Sequence, residues 1–266
     1  MPFVTSGDCE IWYETRGNGV PIVVIYGLGD ASARWWDAFP DALAERYQVV
    51  MLDNRGTGKS GKPKEPWTVD DVIADIDAVA ADCGLDRFHL LGCSAGSVFV
   101  RQYAAARPER IRSLSLLCAP NGIPATPEDM QAAIFWDPAK PLLESARGSW
   151  PIVHPAGWIP GHEAELVADF EAKQAEPTPG RTYRIQLQII ADAPATNAPL
   201  NAFTWPVLIV HGSVDRLVPP ANADAVKAAI PRARLAILDG MSHNLWQHGA
   251  DQLVAVVLDF LPGGDA

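Results

Sequence analysis

Residues 92–96 (GCSAG) fit the pattern G-x-S-x-G, which can present a serine as a nucleophile. The pattern follows an apolar, strand-like run (RFHLLGC, 87–93) and precedes a helix-like run (SVFVRQYAAARP). A tight strand-to-helix turn would lift Ser94 above the sheet, and its glycines avoid clashes with the neighbouring strand and helix. We expect Ser94 to be a nucleophile, with a plain strand–helix turn as the alternative. Cys93 lies in the wrong register between the glycines and is expected to point into the core.

A serine nucleophile needs a base, and histidine is the usual one. The expected order along the chain is serine, then acid, then histidine. His243 follows the strand-like run ARLAILDG (233–240), in a loop where strand ends would converge. His248 falls in a predicted final helix and is expected at the surface. The sequence therefore predicts His243 as the base.

The carboxylate that orients this base is predicted to be Asp215. It follows the apolar run PVLIVHG (206–212), so it falls in the same row of strand-end loops as the predicted nucleophile and base. Asp224 is expected on a helix face. Asp239, which ends the strand before His243, stays open as an alternative acid.

Continuous apolar runs predict strands that are buried on both faces, as in a parallel sheet. A hairpin within residues 3–15 is followed by such runs at 21–27, 47–53, 87–93, 111–119, 206–212 and 233–240. A helix is predicted at 68–84, where apolar residues recur at helical spacing and Thr68 with Asp71 resembles a capping box. This alternation predicts an α/β fold with a mostly parallel, doubly wound sheet.

The alternation breaks in residues 121–202, where prolines and tryptophans are concentrated. Helical pieces stand out near 163–175 and 181–191, and a structureless loop of this length is uncommon inside a compact domain. We expect a small helical cap, inserted after the sixth strand and lying over the strand ends. The predicted organisation is a core of residues 1–120 and 203–266 with a cap of residues 121–202.

Three segments together resemble the α/β-hydrolase superfamily. They are GCSAG at 92–96, HGSVDRLVP around Asp215 and GMSHNLW around His243. The segments YGLGDASARWW and LDNRGTGKS also resemble the capped esterase and lactonase branch of that superfamily. The resemblance implies an α/β-hydrolase fold and a triad with Ser94 as nucleophile, Asp215 as acid and His243 as base.

The same resemblance implies an oxyanion hole formed by the backbone N–H groups of Leu28 and Ala95. One residue departs from the family pattern, because Tyr26 stands where a structural histidine is usual before the oxyanion loop. Tyr26 either replaces that histidine structurally or places its hydroxyl beside the substrate.

Nine tryptophans suggest an apolar, aromatic pocket beneath the predicted cap. The candidate substrate contacts are Trp36, Trp136 and Trp158, with core packing as the alternative for each. The expected reaction is hydrolysis of a carboxylic ester or lactone of a bulky apolar small molecule through an acyl-enzyme. The same triad would serve carbon–carbon bond or thioester hydrolysis. A non-catalytic binding or receptor protein of this fold is the alternative from another class.

Composition narrows the expected partners and compartment. The chain has 21 basic and 32 acidic residues, a formal net charge of −11, which disfavours nucleic-acid and membrane partners. The four cysteines show no CxxC spacing, and His154 and His162 are isolated and expected at the surface or in loops. We therefore predict neither a metal site nor a cofactor. With no signal-like or membrane-spanning run, we expect a cytoplasmic location.

Overall fold

The computed structural model describes residues 3–31, 37–134, 139–192 and 197–261. Within these ranges eight strands form one sheet in the order β1-β2-β4-β3-β5-β6-β7-β8. The strands are β1 (Phe3–Ser6), β2 (Cys9–Arg16), β3 (Pro21–Ile25), β4 (Gln48–Leu52), β5 (Phe88–Cys93), β6 (Ile111–Leu117), β7 (Val207–Gly212) and β8 (Arg234–Leu238). Strand β2 is antiparallel to β1 and β4, and the pairings among β3 to β8 are parallel. The predicted α/β fold with a mostly parallel sheet is confirmed.

Helices cover both faces of the sheet. They are α1 (Ala38–Ala44), α2 (Val69–Asp82), α3 (Ala95–Ala106), α9 (Ala221–Ala229), α10 (Leu245–His248) and α11 (Ala250–Phe260). Successive strand residues point to opposite faces, so in β3 Val23 packs in the core with α2, α3 and α9, whereas Val24 packs in the core with α1 and α11. Because both faces of the parallel strands are buried, these strands appear in the sequence as continuous apolar runs.

The described residues between β6 and β7 form five helices, in the segment where a helical insertion was expected. These inserted helices are α4 (Pro127–Ile134), α5 (Leu142–Val153), α6 (Ile159–Ala175), α7 (Gly180–Asp192) and α8 (Asn197–Leu200). The two helical pieces read from the sequence fall within α6 and α7. The division of the chain into a core and a separate cap stays a prediction. In the described ranges, no helix has both the length and the apolar character needed to cross a bilayer.

The parallel strands all end at one edge of the sheet, and the loops that follow them meet there. Ser94 follows β5, Asp215 follows β7 and His243 follows β8. Gly27 and Leu28 follow β3 at the same edge. In open α/β sheets this edge is where ligands bind, so the fold brings together residues that are far apart in the sequence.

Candidate active site

Ser94 occupies a strained turn between β5 and α3. Its backbone has φ +51° and ψ −122°, a region that non-glycine residues rarely adopt, at a cost of roughly 1–3 kcal/mol. The Ser94 N–H donates to the Leu117 carbonyl of the adjacent strand at 2.8 Å, which anchors the turn to the sheet. The strained backbone therefore holds the serine at the sheet edge, facing the cavity described below.

The glycines on either side of Ser94 are required by close backbone approach. A Cβ on Gly92 would lie 2.5 Å from the Gly96 carbonyl oxygen, and a Cβ on Gly96 would lie 2.3 Å from the Ile25 carbonyl oxygen. Cys93 between them is completely buried in the core, and burial raises the pKa of its thiol well above the ordinary value. The expectation that Cys93 points into the core is confirmed.

Asp215 and His243 form a buried, hydrogen-bonded pair. The His243 Nδ1–H donates to Asp215 Oδ2 at 2.8 Å, and the Val218 N–H donates to Asp215 Oδ1 at 2.8 Å. Burial alone would raise the pKa of Asp215, but the His243 ring and hydrogen bonds from His211 and His243 hold it well below its usual range. Asp215 is therefore ionised and fixes the His243 ring with Nδ1 protonated, which leaves Nε2 as the basic atom.

His211, on β7, supports Asp215 from beneath. Its Nε2 lies 2.7 Å from the Val218 carbonyl oxygen and 3.3 Å from Asp215 Oδ2. Both neighbours are acceptors, so Nε2 carries the proton and shares it between them. Sequence analysis assigned no role to His211, although its place in HGSVD, four residues before the acid, was a usable signal.

The alternative acids lie elsewhere. Asp239 is exposed and accepts a hydrogen bond from Ser213 Oγ at 3.1 Å, and Asp224 is exposed on α9.

His248 is not the surface residue that was expected, because it lies half-buried at the end of the short helix α10. Its Nε2 accepts a hydrogen bond from the Ser242 N–H at 2.9 Å.

The loop after β3 lies directly against the serine. A Cβ on Gly27 would lie 3.3 Å from Ser94 Cβ and 3.8 Å from Ser94 Oγ. Leu28 and Ala95, whose N–H groups were expected to form the oxyanion hole, border the same cavity as Ser94. Ala95 is the first residue of α3, where backbone N–H groups have no partner within the helix. Both residues therefore border the cavity that Ser94 faces, and their role as oxyanion donors stays a prediction.

A cavity of about 930 Å³ opens above the sheet edge. Its floor includes Ser94, His243 and Trp246. Apolar side chains of the inserted helices line the walls, among them Met130, Trp150, Leu166, Phe170, Leu187 and Ile190. Polar groups are fewer and include Arg101, Asn121 and Tyr183. The cavity can therefore hold a ligand of substantial size with its reacting atom next to the serine.

Two candidate substrate contacts need correction. Tyr26 has no exposed surface and packs among core residues below the cavity, so the structural alternative for this residue holds and the hydroxyl does not reach the ligand space. Trp158 also does not border the cavity, because its ring is sandwiched between His154 and His162 at centroid distances of 5.0 and 3.8 Å. Trp36 and Trp136 lie outside the described residues. Of the tryptophans that the structure describes, Trp150 and Trp246 line the cavity.

The end of α5 is bonded to the loop that carries His243. The Asn244 N–H donates to the Val153 carbonyl at 3.0 Å, and Ser242 Oγ donates to the Ile152 carbonyl at 3.3 Å. The Asn244 side-chain amide lies 3.3 Å from His154 Nε2. His154 was expected at the surface or in a loop. It lies in the loop directly after α5 and is buried there, because the neighbouring loop covers it. The inserted helices therefore brace the base as well as cover it.

Buried histidines near this loop predict a loss of stability in acid. Burial lowers the pKa of His154 to about 3 and that of His248 to about 4. In the unfolded chain the pKa is near 6.5, so below that pH the unfolded state binds more protons and the free energy of unfolding falls. At about pH 5 each of these two histidines lowers the free energy of unfolding by on the order of 2 kcal/mol relative to neutral pH.

Urea unfolding at about pH 7.5 and pH 5 measures this loss. The variant His154→Gln, which removes one titrating group, should lose less stability than the wild type between the two pH values. Equal losses in the two proteins would contradict a buried neutral His154.

Cys118, Asp215 and His243 present possible ligand atoms within 4.8 Å of one another. This donor set does not fit a metal ion. Nδ1 of His243 and Oδ2 of Asp215 are bonded to each other, and Cys118 Sγ donates to the His243 carbonyl at 3.2 Å. Burial and the Asp215 charge raise the pKa of the Cys118 thiol well above its ordinary value, whereas a metal requires the thiolate.

Comparisons with known proteins agree with the fold described above. Residues 20–145 match the family described as alpha/beta hydrolase fold. RutD of Caulobacter segnis, which carries the name of a carbamate hydrolase, is 31% identical over 247 residues, 86% of this chain and 88% of its own. The non-heme haloperoxidase of Rhodococcus erythropolis is 28% identical over 287 residues, covering 98% and 99%. The solved structure of the esterase RhEst1 from Rhodococcus sp. ECU1013 superposes with a TM-score of 0.84 at 22% identity, covering 100% of both chains.

Proposed function

This chain belongs to the α/β hydrolase fold family, and we propose that it is a serine hydrolase that cleaves carboxylic esters or lactones of bulky apolar small molecules. One observation carries the proposal. Ser94, on its strained turn, borders the same cavity as His243. The Nδ1–H of His243 is hydrogen-bonded to the buried Asp215 carboxylate. A nucleophile, a base and an orienting acid in this arrangement are what acyl transfer requires.

The proposed reaction has two halves. Ser94 Oγ attacks the substrate carbonyl while His243 Nε2 takes its proton, and the charged ring is stabilised by Asp215. The N–H groups of Leu28 and Ala95 stabilise the oxyanion of the tetrahedral intermediate. His243 then gives the proton to the departing alcohol, which leaves an acyl-enzyme. In the second half, a water activated by His243 releases the acid; with a lactone, acid and alcohol stay in one molecule.

The walls of the cavity support the proposed substrate class. The inserted helices supply mostly apolar side chains, and we propose that they act as the cap of the active site. A cavity of about 930 Å³ lined in this way favours a bulky apolar acyl or alcohol group held by shape. Carbon–carbon bonds and thioesters would suit the same three residues, and the name of the Caulobacter relative adds carbamates to the bonds worth testing.

A substrate panel tests the proposal. Purified protein is assayed with p-nitrophenyl esters of short and long acids, aromatic lactones, a thioester, an aryl carbamate and a vinylogous diketone with a cleavable carbon–carbon bond. The proposal expects the highest kcat/KM on a bulky ester or lactone. Faster cleavage of the carbamate or diketone would reassign the bond type, and tight binding of all of them without turnover would indicate a binding protein.

Trimming a wall residue should change substrate preference. Trp150 lines the cavity, so Trp150→Ala enlarges it and should shift the ratio of kcat/KM for bulky over acetate esters toward the bulky ester, by roughly 10-fold. Trp158→Ala is the matched control, because this tryptophan lies in the same inserted segment but away from the cavity. An unchanged ratio in Trp150→Ala, or equal shifts in both variants, would count against a shape-selective wall.

A further inference from the structure

The turn after β3 is held from above by the inserted helices. Gln186 of α7 is completely buried, and its Oε1 accepts a hydrogen bond from the Gly29 N–H at 2.8 Å. Thr178 Oγ1, just before α7, donates to the Gly29 carbonyl at 2.9 Å. Both polar groups of the Gly29 backbone are therefore bonded to side chains that lie some 150 residues further along the chain.

This turn contains the expected oxyanion donor. The Asp30 N–H donates to the Gly27 carbonyl at 3.3 Å, which closes a turn over residues 27–30. The Gly27 carbonyl and the Leu28 N–H belong to one trans peptide group and point in opposite directions. Fixing the carbonyl inside the turn therefore fixes the direction of the Leu28 N–H. A rotation of the backbone at Gly29 would release both the Gly27 carbonyl and the Leu28 N–H from these directions.

Gly29 has little resistance of its own to such a rotation. Its backbone has φ +64°, which glycine adopts and leaves easily. The Tyr183 ring fills the space beside it, since a Cβ on Gly29 would lie 2.4 Å from that ring. The conformation is thus imposed by α7 from outside the turn.

We propose that Gln186 is a positioning residue for the oxyanion hole: by holding the Gly29 N–H it keeps the Leu28 N–H aimed at the carbonyl that Ser94 attacks. Thr178 acts with it on the next peptide unit, where it holds the Gly29 carbonyl. The inference rests on the proposed function and adds to it that the inserted helices take part in assembling the catalytic geometry.

The test compares variants of three side chains. Gln186→Met keeps the side-chain length but loses the acceptor, Thr178→Val loses the hydroxyl, and Thr178→Ser keeps it. Thr182→Val is the matched control. Thr182 is a buried residue of the same helix whose Oγ1 bonds the Gly56 carbonyl at 3.4 Å, in a different loop. Each variant is assayed for kcat and KM on an ester, for melting temperature and for inhibition by a trifluoromethyl ketone, which forms an oxyanion adduct with an active serine.

If Gln186 positions the oxyanion donor, its replacement should weaken stabilisation of the transition state and leave substrate binding nearly unchanged. Gln186→Met should lower kcat by roughly 10- to 100-fold while KM changes less than about 3-fold. Affinity for the trifluoromethyl ketone should fall by a similar factor, because the adduct uses the same oxyanion donors. Thr178→Val should lower kcat and the affinity for the ketone by a smaller factor. Thr178→Ser keeps the hydroxyl, so its kcat and ketone affinity should stay near the wild-type values.

Two results would overturn the proposal. The first is a kcat for Gln186→Met that falls no further than that of Thr182→Val at a similar melting temperature. The second is a change in KM alone with undiminished affinity for the ketone. Absence of ester turnover in the wild-type protein would instead overturn the proposed function and this inference with it, so the two failures are distinguishable.

Discussion

Ser94→Ala is expected to lower kcat on an ester by roughly 10⁵- to 10⁶-fold, because a triad that acts as a unit loses nearly all its covalent catalysis when one member is removed. A small residual rate should remain from binding and the oxyanion donors. The variant should fold normally and melt close to the wild-type temperature, since alanine has the same Cβ as serine and meets the same backbone strain at φ +51°. Steady-state kinetics with a chromogenic ester, together with a melting curve, measure both effects.

Cys93→Ala is the matched control for this prediction. The thiol is the neighbouring nucleophile in the sequence but is buried in the core on the other side of the strand end. Its removal should cost some stability through a small cavity and leave kcat within a few-fold of the wild type. The reverse pattern, with activity lost in Cys93→Ala and kept in Ser94→Ala, would show that the nucleophile is misassigned.

His243→Ala should be as damaging as Ser94→Ala, because without the base the serine hydroxyl is not activated. Asp215→Asn should lower kcat by about 10⁴-fold, since the amide cannot stabilise the charged ring or hold the same tautomer. Steady-state kinetics on the same ester measure all three. Asp239→Asn and His248→Gln are the matched controls and should retain kcat within a few-fold. If Asp239→Asn abolished turnover while Asp215→Asn did not, the hydrogen bond between Asp215 and His243 would not be the functional one.

The sheet and the meeting of the three candidate site residues at one edge were predictable because each leaves a local signal. Continuous apolar runs such as 21–27 and 206–212 mark strands buried on both faces, and parallel strands end at one edge. Ser94, Asp215 and His243 each follow such a run, so their chain positions place them together. The capping box at Thr68 and Asp71 is equally local, and the Asp71 carboxylate does accept from the Thr68 N–H at 2.7 Å.

Contacts made by the inserted helices were not predictable in the same way. Trp158 and Trp150 are eight residues apart, and only the packed structure shows that one is stacked between histidines while the other faces the cavity. Gln186 carries no motif, because an amide on a helix has the same sequence pattern whether it faces solvent or a loop 157 residues away. The buried state of His154 likewise depends on the distant loop around Asn244.

Tyr26 shows how one substitution within a motif can be ambiguous. A tyrosine before the oxyanion loop is compatible with packing and with substrate contact, since its ring is apolar and its hydroxyl polar. Tyr26 belongs to one buried core cluster with Phe39, Cys93 and Trp246, so its ring packs in the core and does not contact the substrate. The carbonyl of Tyr26 also accepts a hydrogen bond from Asn54 Nδ2 at 3.1 Å, which ties this strand end to the next loop.

Labelling with a fluorophosphonate probe tests the central claim most directly. Such probes phosphonylate only activated serines, so mass spectrometry of the digested wild-type protein should find one adduct, on the peptide that contains Ser94. Labelling should be absent in Ser94→Ala and strongly slowed in His243→Ala. An unlabelled wild-type protein that nevertheless hydrolyses esters, or an adduct on any residue other than Ser94, would contradict the account.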